Sequence, residues 1–475
     1  MSETLMATSL KSQSTGNDGK LPPLFYDATS MSVVKRFAAD TRLVRGFGRW
    51  DLLALVLNSI VGGGIFGLPS TVYALAGTYS LVAHLVCAVP VVLIILCFAE
   101  VGSRFKETGG PYLYAREAFG PFIGFEVGWL MWLARATGFA ALCNLFVGYS
   151  SYFLPVLVSG LGRTLAIGAV VVFLTTVNVA GVRATAAVTN VFTVGKLIPL
   201  LLLVAVGLFF IDPQSYSFTV QPSYGSFSTA VLLLVFAYTG FEAAIVPGGE
   251  IRDPGRHIPF ALLTGIGAVV PLYVLIQAVC IGTLPQLAGS DRPLSDASHY
   301  FLGAAGASVV SAGALLSVSG TMNGTVLATS RLLFAMAEQQ QLPRLLMATH
   351  RRFHTPYIAI LLSAVVMLGL TLFSTFVSAV AISTIIRLIT YAATCAALPV
   401  LRRNNAVPRP AFSLPAGSIV SIAALAISAW LLSNSTWGEA RLVGIAAAVG
   451  CLLYVICALP RGEVRREQRV GVEGL

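Results

Sequence analysis

Long, nearly unbroken apolar stretches recur along the chain, separated by short polar segments. They are too many and too long to be the core helices of a soluble domain. A hydrocarbon layer of about 30 Å needs about 20 apolar residues per helical crossing, and about twelve stretches meet that demand. In the first half the expected spans are 50–76, 80–103, 121–149, 164–180, 187–211 and 227–246. In the second half they are 259–282, 303–336, 356–373, 376–401, 419–433 and 442–459. The predicted class is an all-α integral membrane protein with the termini on one side.

Basic residues support that count. Most Lys and Arg fall in the termini and in alternate loops, and only Arg163, Arg292 and Arg441 fall in the opposite loops. By the positive-inside rule both termini are expected in the cytoplasm and the chain in the cell membrane. The expected organisation is a polar N-terminal tail over 1–48, a helical core over 49–402, two further helices within 403–460 and a C-terminal tail over 461–475. No apolar run precedes Trp50, which argues against a cleaved signal peptide.

Composition sharpens the same picture. The chain is 56% hydrophobic and only 11% charged, against about 25% charged in soluble domains. A net charge of +10 needs no nucleic acid partner, because the basic residues are spread over juxtamembrane loops facing anionic lipid. All seven cysteines fall within expected spans with no CxxC spacing, and the five histidines form no HExxH or similar ligand pattern. No metal, no cofactor and no catalytic group is therefore expected. With loops this short, the helices themselves must carry the function, which favours transport.

Two spans carry breaks. Gly62-Gly63-Gly64-Ile65-Phe66-Gly67 begins twelve residues past Trp50, about 18 Å into the membrane by the helical rise. Backbone in hydrocarbon must be paired, so such a run either packs tightly on a neighbour as a GxxxG face, through Gly63 and Gly67, or unwinds beside a polar cavity. The sixth span offers a counterpart in Phe236-Ala237-Tyr238-Thr239-Gly240-Phe241-Glu242. Interrupted first and sixth spans are what two five-helix inverted repeats predict, with the breaks meeting at the midplane. Free N–H groups starting one half-helix attract a carboxylate and free carbonyls ending another attract an ammonium, so a zwitterionic amino acid satisfies both.

These segments resemble the amino acid, polyamine and organocation transporters, in particular bacterial-type amino acid permeases. The likeness rests on GGGIFGLPS at 62–70, ETGGPYLYAREAFGPFIGFEVGW at 107–129, FAYTGFEAAIVPGGEIRDPGRHIP at 236–259 and SRLLFAMAEQQQLP at 330–343. The resemblance implies a ten-helix 5+5 inverted-repeat core with discontinuous helices 1 and 6, two peripheral helices and alternating access. By position it implies that the amides of Gly62, Gly63, Gly64 and Ile65 cradle a substrate carboxylate. Backbone carbonyls near Ile60 and at Phe236, Ala237, Tyr238 and Thr239 would then accept the amine. Phe236 or Phe241 would lie over the substrate as an aromatic lid, or simply pack.

Charges inside spans are costly, at least about 2.5–3.5 kcal/mol at mid-membrane, and so mark function. Four stand out: Lys196, Glu242, Arg135 and Arg387. In several members of the family that the chain resembles, a lysine in the fifth helix stands where sodium sits in sodium-coupled relatives. Lys196 is therefore either a proton carrier, since burial disfavours its charged form, or a fixed cation on carbonyls near Gly62. Ser317 and Thr321 on the eighth span are candidates to complete that ion-coupling site. Glu242 can neutralise a cationic substrate, bond to the unwound backbone or carry a proton, and a structural or gating role is favoured. Arg135 or Arg387 can pair with it, and both weigh against a strongly cationic substrate.

The expected function is secondary transport of an amino acid, by proton-coupled symport or by exchange. A polyamine or cationic amino acid is the alternative on the same fold, with Glu242 as countercharge. A non-transporting amino acid sensor and an intramembrane enzyme are the readings from other classes; the first lacks a signalling domain and the second a nucleophile–base pair.

Overall fold

A computed structural model describes residues 48–105, 109–157, 159–181, 186–245, 251–404 and 407–457. The expected C-terminal tail, and the N-terminal tail up to residue 47, lie outside the described residues. Within them the chain forms fourteen α-helices and no strand. Eight segments are long and apolar enough to cross a membrane, and three shorter apolar helices, Gly195–Phe210, Tyr357–Leu372 and Gly417–Ser433, accompany them.

The first apolar span is two helices, α1 (Arg49–Ile60) and α2 (Gly63–Ala76). They are followed by α3 (Ser80–Gly102), a short α4 (Pro111–Phe119), α5 (Pro121–Ser150), α6 (Gly160–Val179) and α7 (Ala186–Gly207). The sixth span is α8 (Tyr224–Tyr238) with a 3₁₀ turn at Phe241–Ala244. The rest comprises α9 (Pro254–Thr283), α10 (Pro293–Glu338), α11 (Tyr357–Leu372), α12 (Phe376–Arg403), α13 (Gly417–Ser433) and α14 (Trp437–Cys457). Two elements were not expected. One is α4, whose Pro111 occupies the first turn, where its missing N–H costs nothing. The other is the start of α10 ahead of Gly303, a residue with φ +62° at which this helix bends.

α5 is the hub, packing on α12, α10, α4 and α11, while α2 lies against α8 and α9 spans α1 and α3. Prolines inside these helices remove backbone donors, and neighbouring side chains engage the carbonyls around them. The Tyr149 hydroxyl of α5 donates to the Phe66 carbonyl at 2.8 Å, and Gln277 Nε2 of α9 donates to the Pro69 carbonyl at 3.3 Å. Buried hydroxyls bond back to their own helix, as Thr137 Oγ1 does to the Leu133 carbonyl at 2.9 Å.

One end of α3 is tied to the segment joining α12 and α13. Glu100, fully buried, accepts from Arg402 Nε at 2.7 Å and Arg402 Nη2 at 2.6 Å, from Arg104 Nη2 at 3.2 Å and from the Leu414 amide at 2.9 Å. Arg402 Nη2 also donates to the Leu414 carbonyl at 2.8 Å, and Arg104 Nη1 to that of Leu401 at 3.3 Å. The expectation of four charges within spans is corrected here. Glu100, Glu126 and Arg331 also lie within these helices, each close enough to a span end in the sequence to pass as helix-end polarity.

Candidate functional site

The break in the first span is a change of two residues. α1 ends as Val61 turns to φ −72°, ψ 85°, and Gly62 is extended at φ −126°, ψ −154° before α2 resumes at Gly63. The first N–H groups of α2 therefore have no intrahelical acceptor. A Cβ on Gly62 would meet nothing nearer than Thr321 at 3.7 Å. Its neighbours have no such room. A Cβ on Gly63 would sit 2.3 Å from Leu142 Cδ2, one on Gly64 2.6 Å from Ala237 Cα, and one on Gly67 2.5 Å from Phe376 Cζ. Both readings of the glycine run hold in one segment: Gly62 unwinds, while Gly63, Gly64 and Gly67 let α5, α8 and α12 approach.

The second break answers the first. α8 ends at Tyr238, Thr239 is extended, and Gly240 takes φ +108°, a conformation that favours glycine. A Cβ at Gly240 would also stand 2.2 Å from the Ser59 carbonyl oxygen, so the two breaks touch. Several carbonyls there are engaged. Ile60 O accepts from the Tyr273 hydroxyl at 3.1 Å, and Phe236 O accepts from both the amide and the hydroxyl of Thr239, at 3.2 and 2.8 Å.

Between the breaks lies a cavity of about 540 Å³. Ile60, Gly62, Gly63 and Gly64 line it from the first span, Phe236, Thr239, Gly240 and Glu242 from the sixth, Arg135 and Gly138 from α5, and Lys196 from α7. α10 contributes Ser317, Thr321, Asn323 and Thr325 together with the small residues Gly320, Gly324 and Ala328 at helical spacing, and α12 contributes Arg387. Arg331 stands exposed at the rim.

Lys196 Nζ, 2% exposed as a residue, donates to the Asn58 carbonyl near the end of α1. Ser317 Oγ is buried and without a hydrogen-bond partner, whereas Thr321 Oγ1 bonds back to the Ser317 carbonyl at 2.9 Å. Glu242 pairs with Arg387 Nη1 and accepts from the Tyr391 hydroxyl at 2.7 Å and the Gly240 amide at 2.9 Å. Of the two arginines that the sequence offered as partners for Glu242, Arg387 forms the ion pair. Arg135, half-buried, makes no ion pair within 4 Å among the described residues.

The cavity thus gathers Ile60, Gly62, Gly63, Gly64, Phe236, Thr239, Lys196, Glu242, Ser317 and Thr321 from the sequence-derived candidates. It does not gather the others. Ile65 is buried in the core, and Ala237 lies under Gly64. Tyr238 is enclosed by His84 and Tyr273, with ring centroids at 6.4 and 5.2 Å. Phe241 packs between Phe98 and Tyr391 at 5.2 and 5.3 Å, away from the cavity, so of the two proposed lid residues only Phe236 faces it. Asn58, Asn323, Arg331 and the α10 stripe were missed; the recurrence of Gly320, Gly324 and Ala328 every four residues was the available signal for a helix face that leaves space.

Residues 47–457 match the family model described as amino acid permease. The chain is similar to the serine/threonine exchanger SteT of Bacillus subtilis, with 30% identity over 420 residues that cover 86% of this chain and 95% of the relative. It is also similar to an uncharacterized transporter of Mycobacterium tuberculosis, 31% identical over 413 residues covering 85% and 91%. The methylthioribose transporter of Bacillus subtilis is 26% identical over 437 residues covering 87% and 93%.

Proposed function

The chain belongs to the amino acid permease family, and from that premise we propose that it carries an amino acid across the cell membrane by alternating access. In this reading there are twelve spans: ten, over 49–402, form the inverted-repeat core, while α13 and α14 are peripheral. Both termini are cytoplasmic, and the rim at Arg331 faces the cytoplasm. The substrate carboxylate is held by the unpaired amides that open α2 and the amine by carbonyls at the end of α8.

The observation that carries this reading is the convergence of the Gly62 and Gly240 breaks on one cavity. The cationic lining, with Arg135, Lys196 and Arg387 against Glu242, disfavours the polyamine alternative. Sealed proteoliposomes test the carrier reading: labelled amino acid, but not putrescine, should enter or exchange. Binding without any flux in the same preparation would leave a sensor instead.

Lys196 is the proposed coupling residue. Bound to the Asn58 carbonyl beside the break, its ammonium can hold α1 against α7, and proton loss would release it. Lys196→Ala should abolish the response of uptake to an imposed pH gradient while exchange persists. Accumulation that still follows the gradient in that variant assigns the proton elsewhere.

A further inference from the structure

We propose that the substrate of this cavity is an acidic amino acid, one that brings a second carboxylate for Arg135; this rests on the amino acid carrier reading above. Glu242 is the only carboxylate lining the cavity among the described residues, against Arg135, Lys196, Arg331 and Arg387. Its charge is already engaged by Arg387, Tyr391 and the Gly240 amide. Lys196 is turned to a backbone carbonyl, a neutral partner. The cavity lining therefore carries four cations against one carboxylate, and that carboxylate is hydrogen-bonded to Arg387 rather than to Arg135.

Arg135 is a lining cation with no ion pair within 4 Å among the described residues. A half-buried guanidinium lining a cavity without an ion-pair partner is open to an anion brought by the ligand. The zwitterion's own carboxylate is already assigned to the α2 amides, so Arg135 is satisfied by a second anionic group on the substrate. A planar five-donor fork suits a carboxylate, which it can bind through two parallel hydrogen bonds. One turn along α5, Gly138 adds no side chain to this wall: a Cβ there would come within 3.3 Å of Ser383 Oγ and 3.6 Å of Arg387 Nη2. Gly138 thus lets α12 approach α5 here, and Arg135, Gly138 and Arg387 line the same cavity. Arg331 at the rim adds a further cation where an anion would enter.

Proteoliposomes containing the full chain, preloaded with unlabelled glutamate, aspartate, serine or leucine, test this with the same four amino acids as labelled probes. Glutamate or aspartate should enter about ten-fold faster than serine or leucine, the discrimination expected of a hydrogen-bonded charge pair. Arg135→Gln should erase that ratio, and Arg135→Lys should restore part of it. A thermal-shift series on detergent-purified wild-type protein gives a readout free of any variant, with glutamate or aspartate raising the midpoint more than serine or leucine. Uptake of serine or leucine that excess glutamate and aspartate neither share nor inhibit overturns the inference and leaves the carrier reading intact. Equal loss of acidic and neutral uptake in Arg135→Gln makes this arginine structural and also overturns it. If no amino acid enters at all, both readings fail together.

Discussion

Glu100 and Glu242 are both carboxylates buried between helices with arginine partners, and the two sites have different consequences. Glu100 accepts four hydrogen bonds, two from Arg402, one from Arg104 and one from the Leu414 amide, at the end of α3. The donors come from a loop and two helix ends, and Arg402 Nη2 and Arg104 Nη1 also donate to carbonyls of the same neighbourhood. Glu242 is also well bonded, but it faces a cavity and shares that cavity with cations it does not neutralise. A buried ion pair holds structure where its partners are used up locally. It sets chemistry where charge is left over.

The largest effect should follow from breaking the closed cluster. Glu100→Gln leaves Arg104 and Arg402 without their anion, and breaking a buried pair from one side costs about 3–5 kcal/mol. The expected result is a lowered thermal midpoint and a poor yield of monodisperse protein in detergent, unrelieved by substrate. A variant with the wild-type midpoint would remove the contrast between the two clusters.

Gly240→Ala should come next. It imposes a side chain at φ +108° and places a Cβ 2.2 Å from the Ser59 carbonyl oxygen. The cost falls on the break that presents Glu242, so transport should fall to background while most of the helical fold persists by circular dichroism. Normal uptake would show that the two breaks separate without loss.

The smallest change in stability is expected for Glu242→Gln. The amide keeps the shape of the side chain, and cavity water and counterions can solvate Arg387 once the charge is gone. Transport should fall about ten-fold or more, as for the loss of a charge-assisted bond, while the thermal midpoint stays far closer to wild type than that of Glu100→Gln. Equal destabilisation by the two substitutions would mean that the open and closed clusters do the same job.

The apolar stretches announced the helices because bilayer thickness fixes their length, and the glycines at 62–64 and 240 pointed to the breaks, although only Gly240, at φ +108°, has a conformation that favours glycine. Which glycine does what was not legible. Gly62 and Gly63 look alike in sequence, yet only the packing of Leu142 against Gly63 tells the spacer from the hinge. Aromatic residues misled for a similar reason. Phe236 and Phe241 flank the same break, but the 3₁₀ turn rotates Phe241 onto Phe98 and Tyr391. Glu100 was overlooked because its partners Arg402 and Leu414 lie some three hundred residues on, and no local pattern links them.

The contact between Gly240 and Ser59 bears on motion. With no space for even a methyl group between the turn and the last residues of α1, the two pieces mesh like teeth. Any tilt of α1 has to be passed to the turn at Phe241–Ala244, and with it to Glu242. The two breaks and the Glu242–Arg387 pair are thus joined by direct contact, so in the proposed carrier a ligand between the breaks would be felt at the pair without any message having to cross the bundle.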